Sequence, residues 1–170
     1  YALWYNTFKW LIRRNIKLWI MNYEIVNLNE KILMSLKPSR ISNNDPEVSA
    51  KISKLWGKFM TKSAEIENPK TKKAICTYSN YESDEKGLYD VAMSLEITKP
   101  RANTDNFILK TIPAGKYAKF IVKGPMQKSV PEFWKKLWGM NLPRKFDCDF
   151  EEYQIADPLN SEVHIFISLK

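Results

Sequence analysis

The chain has 170 residues and a net charge of +8, with 44% hydrophobic and 27% charged residues. This length allows one ordinary domain or two small pseudo-repeats, and the composition is typical of a soluble globular protein. No run of about 18 apolar residues occurs, which excludes a membrane span. Residues 1–20 supply half of the net charge, so the basicity of the remainder is weak evidence for direct nucleic-acid binding.

Cysteine and histidine content argues against a metal centre. Cys76 and Cys148 lie far apart, and with the single His164 they match no usual metal-ligand spacing. We interpret both cysteines as small buried hydrophobic residues and His164 as a surface or core residue rather than a catalytic one. We therefore expect a reducing, cytoplasmic location and neither a metal nor a cofactor.

Residues 1–20 differ from the rest of the chain. Apolar residues recur there at helical spacing, while Lys9, Arg13 and Lys17 follow one another four residues apart. This pattern predicts a basic amphipathic helix. The segment is interpreted as sequence not native to the domain, or as a helix packed on it, or as a membrane-surface contact.

The following residues predict alternating strands and helices in two halves, at about 21–100 and 101–170. The first half is predicted to contain a strand at 24–36, a helix at 46–65, and strands at 73–81 and 88–97. The second half is predicted to contain a strand at 107–122, a helix at 127–140, and strands at 147–155 and 162–169. Turn-rich connectors at 82–87 and 156–161 favour antiparallel hairpins.

An internal repeat underlies this order. A shift of 72 residues places Cys76 on Cys148 and Tyr81 on Tyr153, and it also aligns the apolar strands 91–95 and 163–167. The predicted fold is therefore α+β, with tandem βαββ units, an antiparallel sheet and helices against one face. A ligand groove is expected on the pseudo-twofold axis, where elements of both halves converge.

The chain from residue 21 onward resembles the GyrI-like small-molecule-binding domain, the effector-binding domain of AraC-type and other multidrug-responsive regulators. The resemblance rests on these segments in order: "ISKLWGKF" (52–59), "YSNYESDEKGLYDVAMSLEI" (78–97), "IPAGKYAKFIVKG" (112–124), "PEFWKKLW" (131–138), "DFEEY" (149–153) and "SEVHIFISLK" (161–170). It implies tandem βαββ units of the SHS2 type. It also implies a groove for planar, apolar and often cationic compounds, and possession of Ser94 instead of the family's usual Gly is expected to narrow that groove.

The same resemblance implies the site residues. The family's polar determinant, a glutamate in an F-E-x-Y strand, corresponds to Glu151, with Tyr153 on the same face. Glu152 points to the other face and is expected to be solvated. The remaining candidates for the groove wall are Tyr81, Tyr117, Trp134 and Trp138. Alternatively, Glu151 pairs with a lysine on a solvated face, and the tryptophans are core residues.

Three functions remain open at the level of sequence. The first is a module that senses or sequesters planar hydrophobic cations, whose use in transcription regulation needs a fused or separate DNA-binding partner. The second, as in some similar proteins, is a hydrolase of reactive polycyclic genotoxins, with Glu151 as general base and Tyr153 orienting water. The third is an inhibitor that acts by protein interaction. The first hypothesis, which is not an enzyme, is preferred.

Deletion of residues 1–20 should leave the melting temperature of the remaining domain nearly unchanged, as measured by circular dichroism. About 1 kcal/mol of lost stability would lower that temperature by roughly 2–4 °C. A loss of several degrees would therefore mean that the tryptophans of this segment complete the core.

Overall fold

The computed structural model describes residues 21–155 and 157–170. Within them, nine strands form one antiparallel sheet, and two α-helices pack against it, which gives the predicted α+β class. The predicted segment 1–20 lies outside the described residues. No helix in the described part of the chain is long and apolar enough to cross a membrane.

The elements follow one another in the predicted order. The strands are β1 (Glu24–Leu28), β2 (Lys31–Leu36), β3 (Ser39–Ser42), β4 (Pro69–Ser79), β5 (Leu88–Ile97), β6 (Phe107–Ile112), β7 (Gly115–Gly124), β8 (Cys148–Ile155) and β9 (Ser161–Ser168). The helices are α1 (Val48–Lys62), continued by a 3-10 turn (Ser63–Glu65), and α2 (Met126–Leu137).

The predicted strands at 24–36 and 107–122 are each divided in two, the first into β1 and β2 and the second into β6 and β7. β1 pairs with β7 and β2 with β6 in one continuous register, in which residues 29–30 lie opposite 113–114. Pro113 has no backbone N–H to donate to a neighbouring strand, so the ladder is interrupted on both sides at this point. The short strand β3 was not predicted; it follows Pro38 and pairs with β5.

The strand order places the two halves side by side. The sheet runs β1-β7-β9-β8-β4-β5-β2-β6, so β7-β9-β8 of the second half meets β4-β5-β2 of the first at the β4–β8 pair. Cys76 lies directly opposite Glu151 in that central pair. The centre of the sheet is therefore built by strands from different halves, whose paired residues run from Ile75 with Glu152 to Ser79 with Cys148.

Both helices bury one apolar stripe against the same face of the sheet. In α1, Leu55 and Phe59 are buried one turn apart, and in α2 Phe133 and Leu137 repeat that spacing. They join a core that contains alternate residues of β5 and β9. The gap between the two helices lies over the central strands.

The opposite face of the sheet holds a second, smaller core. Phe150 of β8 is fully buried there and stacks on Phe166 of β9, with ring centroids 4.4 Å apart. The ring of Tyr117 packs against the ring of Phe150, with centroids 5.7 Å apart. Apolar side chains are therefore buried on both faces of the central strands, as with Cys76 on the helix side and Ile75 on the opposite side of β4.

The register corrects one part of the repeat alignment. Cys76 lies in the helix-side core but Cys148 lies in the core on the opposite face, so the predicted equivalence of the two cysteines is wrong. Tyr78 pairs with Val91 of β5, and Tyr153 pairs with Val163 of β9. By these pairings Tyr78, and not Tyr81, is the counterpart of Tyr153. The pseudo-twofold relation as a whole stays a prediction.

Replacement of Phe150 by alanine should lower the free energy of unfolding by about 3–5 kcal/mol, because the stacked pair would leave a cavity in the second core. Ile155 on the same strand is 49% exposed. Ile155→Ala should therefore cost less than about 1 kcal/mol. Urea unfolding monitored by circular dichroism compares the two variants, and equal losses would contradict this assignment of the cores.

Candidate functional site

A cavity of about 870 Å³ opens between the two helices, above the β4–β8 pair. Its walls are aromatic: Trp56 of α1 meets Tyr153 edge-on at 4.7 Å, and Trp134 of α2 meets Tyr78 at 5.0 Å between ring centroids. Each helix thus places a tryptophan on a tyrosine of a strand from the other half. The result is a pocket with two facing aromatic pairs.

Five of the six residues predicted from the sequence line this pocket, namely Glu151, Tyr153, Tyr81, Trp134 and Trp138. Tyr117 does not: it lies in the core on the opposite face, and its hydroxyl donates to the carbonyl of Pro113. Strand alternation explains this, because Ala118 and Phe120 of the same strand face the helices. Ser94 also faces away and donates to Ser35, so it does not narrow the pocket as expected.

Glu151 lies at the floor of the pocket and is 1% exposed. Its Oε1 accepts hydrogen bonds from the Tyr78 hydroxyl at 2.8 Å and from Trp134 Nε1 at 2.6 Å. Its Oε2 accepts one from the Tyr153 hydroxyl at 2.6 Å. Each carboxylate oxygen offers two lone pairs, so Oε2 retains one acceptor position.

All three donors to Glu151 are neutral. No Lys or Arg of the described residues lies within ion-pair distance of this carboxylate, so the alternative of a lysine-paired glutamate on a solvated face is wrong. Burial raises the pKa of Glu151, and the hydrogen bonds from Tyr153, Trp134 and Tyr78 lower it without cancelling the rise. The pocket therefore holds an acid whose negative charge has no countercharge.

Glu152 corrects the sequence prediction of a solvated side chain. It lies on the opposite face, where Lys31 Nζ approaches to 3.1 Å and Gln154 Nε2 to 2.6 Å. Burial would raise the pKa of Glu152, but the Gln154 hydrogen bond and the Lys31 charge hold it below the usual value. Of the two adjacent glutamates, Glu151 is thus bound by neutral hydrogen-bond donors, whereas Glu152 forms an ion pair with Lys31.

A second polar group borders the pocket: Asp149 lies at its centre, and Tyr81 and Arg144 of the pocket wall bind to it. Asp149 is fully buried and accepts hydrogen bonds from Tyr81 and Arg144 at 2.9 and 2.8 Å, and from both the backbone N–H and the hydroxyl of Ser168. Arg144 also lies 3.5 Å from Glu85. Sequence reasoning missed this group, although strand alternation alone places Asp149 on the face of Glu151.

Tyr78 is a further pocket residue that sequence reasoning missed. It donates to Glu151 from a neighbouring strand, 73 residues away in the chain, and only the pairing of β4 with β8 brings the two together. Among the described residues, no group of three His, Cys, Asp or Glu side chains could hold a metal ion.

Comparison with solved structures places the fold among known proteins. An integron cassette protein from the mobile metagenome of Vibrio cholerae is 27% identical, with a TM-score of 0.72 over 87% of this chain and 95% of that one. SAV2435, solved bound to tetraphenylphosphonium, is 16% identical, with a TM-score of 0.69 over 88% and 94%. The C-terminal domain of EcmrR is 17% identical, with a TM-score of 0.56 over 89% and 98%.

A comparison with curated proteins found no match to the chain. A comparison with models of protein families did find one. The family described as the GyrI-like small molecule binding domain matches residues 21–170, which is the whole region from β1 to β9. The chain therefore belongs to the GyrI-like small molecule binding domain family.

Proposed function

We propose that the pocket binds planar, hydrophobic, cationic small molecules and that Glu151 is their counter-ion. The observation that carries the proposal is a fully buried carboxylate with three neutral hydrogen-bond donors and no cationic partner among the described residues. Burying an unpaired charge is costly in free energy. A bound cation removes that cost, since it supplies the missing positive charge.

The aromatic walls suit the same ligand. The rings of Trp56, Trp134, Tyr78 and Tyr153 surround the floor of the pocket. A cation over such ring faces gains roughly 0.5–2 kcal/mol for each favourable contact. Flat aromatic ligands also fit between facing rings with little loss of conformational entropy. The bound tetraphenylphosphonium of SAV2435, a lipophilic aryl cation that is tetrahedral rather than planar, supports the preference for an aromatic cation by analogy of fold.

In the cell, we propose that the domain senses or sequesters such compounds in the cytoplasm. The fold is shared with EcmrR, which has been solved in a complex with DNA, at 17% identity and a TM-score of 0.61 over 97% of this chain and 64% of that one. This likeness supports a role as the effector-binding part of a regulator, with DNA contacted by a separate or fused partner. The two free, buried cysteines suit a reducing location.

Glu151→Gln should weaken binding of tetramethylrosamine, a planar cation, by about tenfold or more, because a charge-assisted contact is worth roughly 1.5–3 kcal/mol. Binding of the neutral dye Nile red should change much less. Wild-type affinity for the cation should also rise with pH through the raised pKa of Glu151, because protonation of the empty pocket competes with the cation. Fluorescence anisotropy measures both dyes.

Glu152→Gln is the matched control for this experiment. The residue is adjacent in sequence but lies on the opposite face of the sheet with Lys31. It should leave both affinities nearly unchanged. Equal losses from the two substitutions, or equal losses for the cationic and neutral dyes, would contradict the counter-ion role and leave Glu151 a structural residue.

A counter-ion kept for a ligand should reduce the stability of the empty domain. The folded-state pKa of Glu151 lies above its unfolded value, so the folded state binds more protons, and this residue's contribution to stability falls as pH rises through that window. Glu151→Gln should therefore raise the free energy of unfolding at pH 7 by about 0.5–2 kcal/mol, with little gain at pH 4. Urea unfolding at both pH values tests this, and destabilisation at pH 7 would refute it.

A further inference from the structure

Arg144 lines the pocket and carries two N–H groups that donate no hydrogen bond to the described residues. Its side chain is 6% exposed, and its Nη2 donates to Asp149 at 2.8 Å. Neither Nε nor Nη1 has a hydrogen-bond partner among the described residues. Buried donors are nearly always satisfied, and leaving one unsatisfied costs about 1–3 kcal/mol.

The guanidinium is held in one orientation. The ring of Phe146 lies 4.1 Å from its central carbon and covers one face, while Asp149 takes one of its edges. The donors of a guanidinium lie in its plane and form a rigid fork. Since one face and Nη2 are engaged by protein, Nε and Nη1 are the N–H groups left without a hydrogen-bond acceptor, and Arg144 is part of the pocket lining.

The surrounding charge selects the kind of acceptor. Asp149 is fully buried beside Arg144, and Glu85 lies 3.5 Å from Nη1 without forming a hydrogen bond to it. Two carboxylates thus face one guanidinium. A ligand anion here would be repelled by both carboxylates, whereas a neutral carbonyl oxygen accepts a hydrogen bond without adding charge.

Asp149, which holds Arg144, has a fixed spacing from Glu151 of the proposed cation site. Asp149 and Glu151 are two residues apart on the same face of β8, a spacing of about 7 Å along the strand. Arg144 extends from Asp149 on the side where Tyr81 and Glu85 lie. The pocket therefore has an acid at its floor and a hydrogen-bond donor farther along one wall.

We propose that Arg144 binds a neutral carbonyl oxygen of the ligand, so that the preferred ligands are planar cations that also carry an ester, amide or ketone group. This inference rests on the proposed cation site at Glu151 and adds a second determinant to it. Arg144 selects among cations, while Glu151 selects for positive charge.

Two dyes with the same cationic ring system test the proposal with the full chain. Tetramethylrhodamine methyl ester carries an ester carbonyl that tetramethylrosamine lacks. The wild type should bind the ester about tenfold more tightly, the usual worth of one hydrogen bond to a charged group. In Arg144→Lys the preference should fall below about twofold, since a compact ammonium held against Asp149 cannot present a second edge of donors toward the carbonyl as the planar guanidinium does.

Matched variants separate this effect from the counter-ion. Glu151→Gln should weaken both dyes equally and keep the preference. Lys145 is the neighbouring basic residue, is 54% exposed and pairs with Asp147, so Lys145→Gln should keep both the affinities and the preference. Tetramethylrhodamine, which carries a carboxylate in place of the ester, should bind more weakly than the ester because of Asp149 and Glu85.

Each contrary outcome has a distinct meaning. Tight binding of both cations without preference would overturn the role of Arg144 and leave the proposed function standing, whereas no binding of either would overturn both. A preference that persists in folded Arg144→Lys, or tightest binding of the carboxylate dye, would also overturn it. If Arg144→Lys does not fold, ¹⁵N NMR of the wild type decides: the ester, and not the rosamine, should shift the Arg144 Nε–H signal, and equal shifts would refute the proposal.

Discussion

The carboxylate of Glu151 is the interaction on which the arrangement of the pocket depends. Its three donors come from three elements: Tyr78 from β4, Trp134 from α2 and Tyr153 from its own strand. A buried acceptor of this kind is costly to leave unsatisfied, so it fixes the positions of all three side chains. Because the same three rings form the walls, the polar group and the aromatic surface are aligned with each other before any ligand arrives.

The position of Glu151 at the central strand pair explains why no second acid faces it across the ladder. Cys76 lies directly opposite Glu151 across the β4–β8 ladder. A second carboxylate there would bring two like charges face to face, which is destabilising in a sheet and worse when buried. A small neutral thiol avoids this repulsion. The aromatic pairs around the site are matched across the two halves, whereas the charge is not.

Much of the fold could be predicted from sequence because its signals are local. The bounds of β5 were predicted to the residue, since an apolar run with alternation is enclosed by turn-rich connectors. Tyr117 was misplaced because both faces of the sheet are buried, and an aromatic residue in such a strand fits either core. Tyr78 and Arg144 were missed for a different reason. Their contacts depend on pairing between distant strands and on a loop without periodicity, neither of which local patterns encode.

The adjacent residues Glu151 and Glu152 show that the environment sets the role of an acid, and that strand register sets the environment. The pKa of Glu151 is raised because burial outweighs three neutral donors, and that of Glu152 is lowered because Gln154 and Lys31 outweigh its burial. A slip of one residue in β8 would exchange the two faces. Glu152 would then enter the pocket, while Glu151 would face Lys31. The stacked pair of Phe150 and Phe166 opposes such a slip, because it would move Phe150 out of the second core and into the pocket. The hydrophobic packing on one face of the strand therefore maintains the acid on the other.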